Sequence, residues 1–172
     1  MTTRVYLILG GLFSADGYVT SYGMLSLRSM VQESIPGAVF NTYLWGDFLK
    51  CHADMMAHQE DRTAVIGYSG GGTRATWIAN GYGSPAPLPK PRIDLMVLYD
   101  PSPAWQMMTT GSNVRKAVNY HNETPWMFGL GGGILRGPNV RTIPVRMQHL
   151  ALQVSASLHE QTLTFIKELA AS

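Results

Sequence analysis

The feature that most constrains this chain is the pentapeptide Gly67-Tyr68-Ser69-Gly70-Gly71, which directly follows the apolar run Thr63-Ala64-Val65-Ile66. The apolar run predicts a buried strand, and the glycines predict a sharp turn into a helix. A side chain at position 67 or 71 would clash with the flanking chain in such a turn, so both positions need glycine. The Ser69 hydroxyl is then expected to stand clear at the carboxyl edge of a sheet, beside the amide donors of the new helix. Ser69 is therefore a candidate nucleophile.

Strand-like and helix-like segments alternate along the chain. Apolar runs predict strands at residues 5–9, 38–44, 63–67, 93–99, 114–120 and 140–145. Amphipathic spacing predicts helices at residues 22–34, 46–59, 71–80 and 152–170. This alternation predicts an α/β fold, with a mostly parallel sheet of about six strands and helices on both faces. Neither a repeat nor an internal boundary is visible, so we expect a single domain over residues 1–172.

Composition excludes several classes of function. The net charge of +2 is too small and too scattered to indicate a nucleic-acid partner. No apolar run approaches the ~20 residues of a membrane span. The first apolar segment is too short for a signal peptide and follows only Arg4, so we expect a cytoplasmic location by default. A lone cysteine, Cys51, cannot form an internal disulfide.

A serine nucleophile needs a base, and that base needs an orienting acceptor. Of the five histidines, His149 is favoured because it lies between the last strand and the closing helix, where it can reach the carboxyl edge. His52 and His58 have a spacing that fits no zinc site and are expected at the surface or the core edge. His159 lies inside the closing helix and is expected to be solvated. His121 ends a strand near the predicted site, but no helix follows its loop.

Two carboxylates compete for the place of the orienting acid. Asp100 ends the strand that follows the nucleophile helix, one strand away from Ser69. Glu123 follows the next strand and lies in a looser connection. Either choice gives the chain order serine, acid, histidine. We favour Asp100 because it ends a buried strand, and Glu123 stays open as the alternative.

The oxyanion formed in acyl transfer needs two backbone donors. One is expected to be the amide of Gly70, directly after the serine. The second is expected in the loop after the first strand, where two glycines ending at Gly11 let the backbone approach a substrate. The amide of Leu12 is the favoured donor, and that of Phe13 is the alternative. Gly11 and Tyr68 complete the predicted substrate-binding group.

These features resemble the α/β-hydrolase superfamily. The early glycine pair, the pentapeptide around Ser69, the strand-end Asp100 and the late His149 follow that family's order over most of the chain. The resemblance is closest to small, lidless esterase, lipase and thioesterase-like members. It implies a shortened sheet that begins at the strand carrying the oxyanion loop, with no room for a cap domain. Many members place the acid one strand later, which here corresponds to Glu123.

The residues and the resemblance together predict a serine hydrolase that cleaves a carboxylic ester or thioester through an acyl-enzyme on Ser69. Such a reaction needs no metal and no cofactor. The expected partner is a small-molecule ester or an acylated polymer. Two alternatives remain open at this point. One is a catalytically silent binding module with the same fold, and the other is an esterase for an acylated glycan or cell-envelope polymer.

The loop-rich third of the chain, residues 101–138, is predicted to form a mobile flap or wall beside the site. Glycines at positions 129 and 131–133 suggest flexibility, and large apolar side chains accompany them. These apolar residues are expected to line an acyl pocket, to touch lipid or to cover the sheet as ordinary core: Trp105, Met107, Met108, Trp126, Met127 and Phe128. No segment here is regular enough to predict a helical cap.

Overall fold

A computed structural model describes residues 1–11, 21–83, 86–102, 107–123 and 131–172 of the chain. The strands of this part are β1 (Thr3–Leu9), β2 (Val39–Leu44), β3 (Arg62–Tyr68), β4 (Leu95–Tyr99), β5 (Met107–Thr109), β6 (Ala117–Asn122), β7 (Ile134–Arg136) and β8 (Val140–Val145). Its helices are α1 (Tyr22–Ser34), α2 (Phe48–Ala57), α3 (Gly70–Asn80), α4 (His149–Leu152) and α5 (Ala156–Ala171), and a 3₁₀ turn covers Trp45–Asp47.

Six of these strands form one parallel sheet in the order β2-β1-β3-β4-β6-β8. This confirms the predicted α/β sheet of about six strands with helices on both faces. The chain adds β2 on one side of β1 and then returns to add β3 on the other side. In parallel sheets such a reversal opens a crevice at the carboxyl ends of the two strands, which is where ligands bind. Here the crevice lies between the ends of β1 and β3.

Alternate side chains of the central strands build a separate core on each face of the sheet. On β1, Val5, Leu7 and Leu9 pack in the core that contains the apolar residues of α1 and α5. Tyr6 and Ile8 face the opposite core, which contains those of α2 and α3. Because helices cover both faces, the central strands are apolar at nearly every position. These unbroken apolar runs are the reason that the central strands could be predicted from the sequence.

Element boundaries differ from the prediction mainly near the carboxyl terminus. The closing helix predicted over residues 152–170 begins later, at Ala156, and a separate short helix, His149–Leu152, precedes it because the backbone leaves the helical path between Gln153 and Ser155. His149 therefore begins a short helix of its own rather than lying in an open loop. The strand predicted at 93–99 begins at Leu95, and Ile93 forms only an isolated bridge to Val114.

No helix among the described residues is long and apolar enough to cross a membrane.

The segment predicted as a mobile flap is tied into the fold wherever the structure describes it. β5 and β7 pair with each other as a separate two-stranded parallel sheet. The Gly133 amide donates to the Pro101 carbonyl at 2.9 Å, and the Asn119 side-chain amide donates to the Gly133 carbonyl at 3.1 Å. Backbone hydrogen bonds and burial thus replace the freedom that the glycines suggested. The other predicted flap residues lie outside the described residues: Trp105, Trp126, Met127, Phe128 and Gly129.

Candidate active site

Ser69 occupies the sharp turn between β3 and α3. Its backbone has φ 54° and ψ −126°, a conformation that residues with a side chain rarely adopt. Its amide donates to the Tyr99 carbonyl at 3.0 Å, which fixes the turn against β4. The residue is only 6% exposed, so it does not stand clear of the sheet edge as predicted. The cause is close packing, since a Cβ added at Gly10 would fall 2.7 Å from the Ser69 Cβ.

The glycines around Ser69 permit this turn, as the sequence predicted. A Cβ at Gly67 would lie 2.6 Å from the Gly72 Cα, and a Cβ at Gly71 would strike the carbonyl group of Ile8 on β1. Gly70 differs, because a Cβ there would have no neighbour within 4 Å. The turn therefore packs directly against β1 through Gly71.

These two adjacent glycines provide a matched pair of substitutions. We expect Gly71→Ala to lower the free energy of unfolding by about 1–3 kcal/mol or more, because its methyl group overlaps backbone that cannot rotate away. Gly70→Ala should change it little or raise it by up to about 1 kcal/mol, since alanine favours the helix. Urea unfolding of both variants measures the difference. Equal midpoints for the two would contradict the predicted contact with Ile8.

Asp100 directly follows β4 and is completely buried, with φ 46°. Its Oδ2 accepts a hydrogen bond from His149 Nδ1 at 2.7 Å. Its Oδ1 accepts from the backbone amide of Asn122 at 3.3 Å and from that of Gly132. A buried carboxylate is costly unless several donors satisfy it, and here three donors from separate segments do so. The carboxyl group is therefore fixed toward His149.

Glu123, the alternative acid, lies elsewhere. Its carboxylate is exposed and pairs with Arg146 at 3.1 Å. Exposed pairs of this kind contribute little to stability and do not orient a distant ring. Of the two competing carboxylates, the structure brings Asp100 to His149.

His149 is 4% exposed and is held on two sides. The Tyr68 ring stacks on the imidazole at 5.0 Å with an interplanar angle of 22°, and the Tyr68 hydroxyl donates to the His149 carbonyl at 3.3 Å. Burial, together with the charge of Asp100, raises the pKa of Tyr68, so this hydroxyl stays protonated. Because a carboxylate accepts from Nδ1, the neutral imidazole presents Nε2 as an acceptor. Tyr68 therefore supports the histidine from beneath, and its part in substrate binding stays a prediction.

Ser102 is a buried site residue that the sequence reasoning missed. Its hydroxyl lies 3.3 Å from that of Ser69 and accepts a hydrogen bond from the Gly131 amide at 2.7 Å. Its backbone amide donates to the Ser69 carbonyl at 3.2 Å, and its carbonyl accepts from the Thr73 hydroxyl. Ser102 thus joins the turn around Ser69 to the segment that supports Asp100. Its position two residues after the strand-end acid is the sequence signal for it.

Substituting Ser102 should reduce turnover without removing it. Ser102→Ala leaves the buried Gly131 amide without its acceptor, which typically costs about 1–3 kcal/mol. It also removes the polar neighbour of the Ser69 hydroxyl, so we expect kcat to fall roughly tenfold. Ser157→Ala, at an exposed serine on α5, is the control. Kinetics and melting temperature of the two variants should be compared, and an unchanged kcat in Ser102→Ala would refute the coupling.

The predicted oxyanion donors are only partly described. Gly70 is the first residue of α3, and the first amides of a helix have no acceptor within that helix. Its N–H follows Ser69 directly, as the prediction requires. Gly11 is buried behind the end of β1. Leu12 and Phe13 lie outside the described residues.

Three of the other histidines have different surroundings. Two lie within hydrogen-bond distance of backbone carbonyl groups, and the third is buried on α5. The His52 Nε2 lies 2.8 Å from the Pro89 carbonyl, and the His58 Nδ1 lies 2.9 Å from the Asp54 carbonyl. His159 was predicted to be solvated but is 3% exposed, and burial lowers the pKa of its imidazole. Its ring lies on the apolar face of α5, 6.0 Å from the Tyr99 ring.

Comparison with known proteins places the fold. The sequence matches no family model and no curated relative. The esterase domain of a Rhodothermus marinus protein is 10% identical, with 97% of this chain and 86% of that chain covered and a TM-score of 0.60. The lin2722 gene product of Listeria innocua is 11% identical, with coverages of 97% and 94% and a TM-score of 0.61. An acetyl xylan esterase is 11% identical, with 98% of each chain covered and a TM-score of 0.58. This chain therefore shares the fold of these three structures, two of which are named as esterases.

Proposed function

We propose that this protein is a serine hydrolase that cleaves carboxylic esters or thioesters through an acyl-enzyme on Ser69. The observation that carries the proposal is the buried 2.7 Å hydrogen bond between Asp100 and His149. The imidazole stacks on Tyr68, the residue that directly precedes Ser69 in the sharp strand-to-helix turn. A buried, oriented imidazole and a strained serine are both costly to build, and nucleophilic catalysis requires both. The esterases of similar fold support the same chemistry.

The first half of the reaction forms the acyl-enzyme. The Ser69 oxygen attacks the acyl carbonyl while His149 Nε2 takes the serine proton. Asp100 keeps the Nδ1 proton in place and stabilises the imidazolium that results. For this step the Ser69 hydroxyl turns from Ser102 toward the imidazole, a rotation about one side-chain bond.

The acyl-enzyme is complete when the bond to the leaving group breaks, and hydrolysis then releases the acid. The Gly70 amide and an amide of the loop that begins at Gly11, with Leu12 favoured, stabilise the oxyanion as the carbonyl oxygen gains charge. His149 then protonates the departing alcohol or thiol. A water molecule, deprotonated by the same imidazole, attacks the acyl group and regenerates the free serine.

Active-site labelling tests this proposal. A fluorophosphonate probe should react with the native protein and not with heat-unfolded protein, because only the folded site activates the serine. Peptide mass spectrometry should locate the adduct on Ser69. An unlabelled native protein, or an adduct on another serine, would count against the mechanism.

Two other functions are compatible with the fold: a silent binding module and an esterase for an acylated polymer. A silent binding module would have no reason to keep a fully buried carboxylate aligned on a histidine, so we set it aside. An esterase for an acylated polymer uses the same chemistry and differs in what lies beside the serine. The surface next to the site bears on that choice.

A further inference from the structure

An arginine is held against three aromatic rings on the β2 side of the site. The Arg74 guanidinium carbon lies 3.7 Å from the centroid of the Trp77 ring, 5.0 Å from that of Phe48 and 5.1 Å from that of Trp45. These rings come from α3, α2 and the 3₁₀ turn. Together the four residues form what we call the Arg74 cluster. Three rings around one cation fix its position far more firmly than a surface arginine is usually fixed.

The strand register places this cluster close to Ser69. Leu44 on β2 pairs with Leu9 on β1, and Leu9 is level with Tyr68 on β3 because the preceding pair is Ile8 with Gly67. The next residues along β2 and β3 are Trp45 and Ser69. Trp45 and Ser69 therefore lie at the same sheet edge, and their backbones are separated by two strand spacings or about 10 Å.

The Arg74 side chain also reaches back to this edge. It begins in the second turn of α3, and long side chains in a helix point toward the helix amino terminus. The amino terminus of α3 is the turn that holds Ser69. The contact with the Trp45 ring places the guanidinium group beside the 3₁₀ turn.

The charge of Arg74 has no protein counterpart among the described residues. There the guanidinium forms no hydrogen bond and no ion pair. Asp47, in the neighbouring 3₁₀ turn, binds Lys50 at 2.7 Å instead. Burial lowers the pKa of the Arg74 guanidinium, which reflects partial loss of water. A guanidinium carries five N–H donors, so this one is oriented, partly dehydrated and without an acceptor in the described part of the chain.

We propose that Arg74 is the anion-binding group of a substrate subsite, and that the preferred substrates are esters carrying a carboxylate that can reach the Arg74 cluster when the scissile carbonyl lies at Ser69. The inference rests on the proposed function. Arginine binds carboxylates through two parallel hydrogen bonds, and its planar fork suits this geometry better than lysine. The Tyr82 ring, 57% exposed and 6.4 Å from Trp77, extends the aromatic surface on which a substrate ring can stack. An acylated acidic glycan has both features.

Charge-matched esters test the subsite. The substrates are 4-nitrophenyl monoesters of linear dicarboxylic acids of increasing length, each paired with its methyl-capped neutral analogue. The ratio of kcat/KM for the charged over the neutral ester should rise to about tenfold where the chain spans the distance to Arg74, the effect of one charge-assisted contact. Added salt should reduce this ratio. A ratio at or below one at every length would overturn the proposal.

Variants identify the group responsible. Arg74→Gln should bring the ratio down to about one, and Arg74→Lys should lower it severalfold because the ammonium cannot bind bidentately. Arg115→Gln is the control, since it removes the same charge from an exposed position at the opposite, amino-terminal edge of β6. It should leave the ratio unchanged. If Arg74→Gln does not fold, Arg74→Lys decides the question, and a wild-type ratio in either folded variant refutes the role of Arg74.

A binding measurement separates this inference from the proposed function. Trp45 and Trp77 contact the guanidinium, so a free linear dicarboxylate should change the tryptophan fluorescence saturably in the wild type and not in Arg74→Gln. Binding without hydrolysis of any ester would sink the proposed function and leave the subsite standing. Hydrolysis with neither a charge preference nor a fluorescence change would sink the subsite alone.

Discussion

Ser69→Ala is expected to abolish ester turnover and probe labelling, with a loss in kcat on the order of 10⁶. Ser69 is the only serine in the turn between β3 and α3, and the nearby Ser102 hydroxyl is held by the Gly131 amide in a different segment. Ester hydrolysis assays and labelling with a fluorophosphonate probe measure both effects. Ser69→Ala protein that turned over substrate at the wild-type rate would end the proposed mechanism.

The same variant should remain folded. Alanine differs from serine by one oxygen, and among the described residues the hydroxyl has a single partner, Ser102, at 3.3 Å. We therefore expect nearly the same melting temperature for the variant and the wild type. A large drop would mean that lost activity reports unfolding, and activity would then have to be measured well below the transition.

Asp100→Asn is expected to lower kcat on the order of 10⁴, the typical effect of losing the orienting carboxylate. Asparagine has the same shape and tolerates positive φ, so the backbone can keep its conformation. Its amide group, however, offers a donor to His149 or forces the imidazole into the tautomer that no longer accepts the serine proton.

The matched control is Glu123→Gln, which removes the other candidate carboxylate. Its partner is the exposed Arg146, so turnover should stay close to that of the wild type. Steady-state kinetics of both variants, with folding checked by circular dichroism, decide the assignment. A large loss in Glu123→Gln with an active Asp100→Asn would reverse the roles of the two acids.

The sheet was predictable because its central strands are buried on both faces. Residues 5–9, 63–67 and 93–99 are apolar runs bounded by glycine or by Asp100-Pro101, and few other structures suit such runs. The small β5–β7 sheet was missed for the opposite reason. Strands of three residues have no measurable periodicity, and their pairing depends on contacts across 25 or more positions of sequence.

The candidate site residues that follow predicted strands could be identified from the sequence. Ser69, Asp100 and His149 each follow or end a predicted strand, so parallel topology alone brings them to one edge. Ser102 and Gly132 were missed because their roles arise from hydrogen bonds between distant segments. The prediction that His159 is solvated was an avoidable error, since His159, Leu163 and Ile166 share the apolar spacing of α5.

The backbone conformation at Ser69 and Asp100 lowers the free energy of unfolding in order to hold the candidate site in place. Within the described part of the chain, these two residues are the only ones other than glycine with positive φ. Each such conformation costs about 1–3 kcal/mol, against a total stability of typically 5–15 kcal/mol. Selection for robustness alone would relax both positions and thereby dismantle the site. Mutations that raise the heat tolerance of this protein without loss of turnover must therefore arise at positions other than these two.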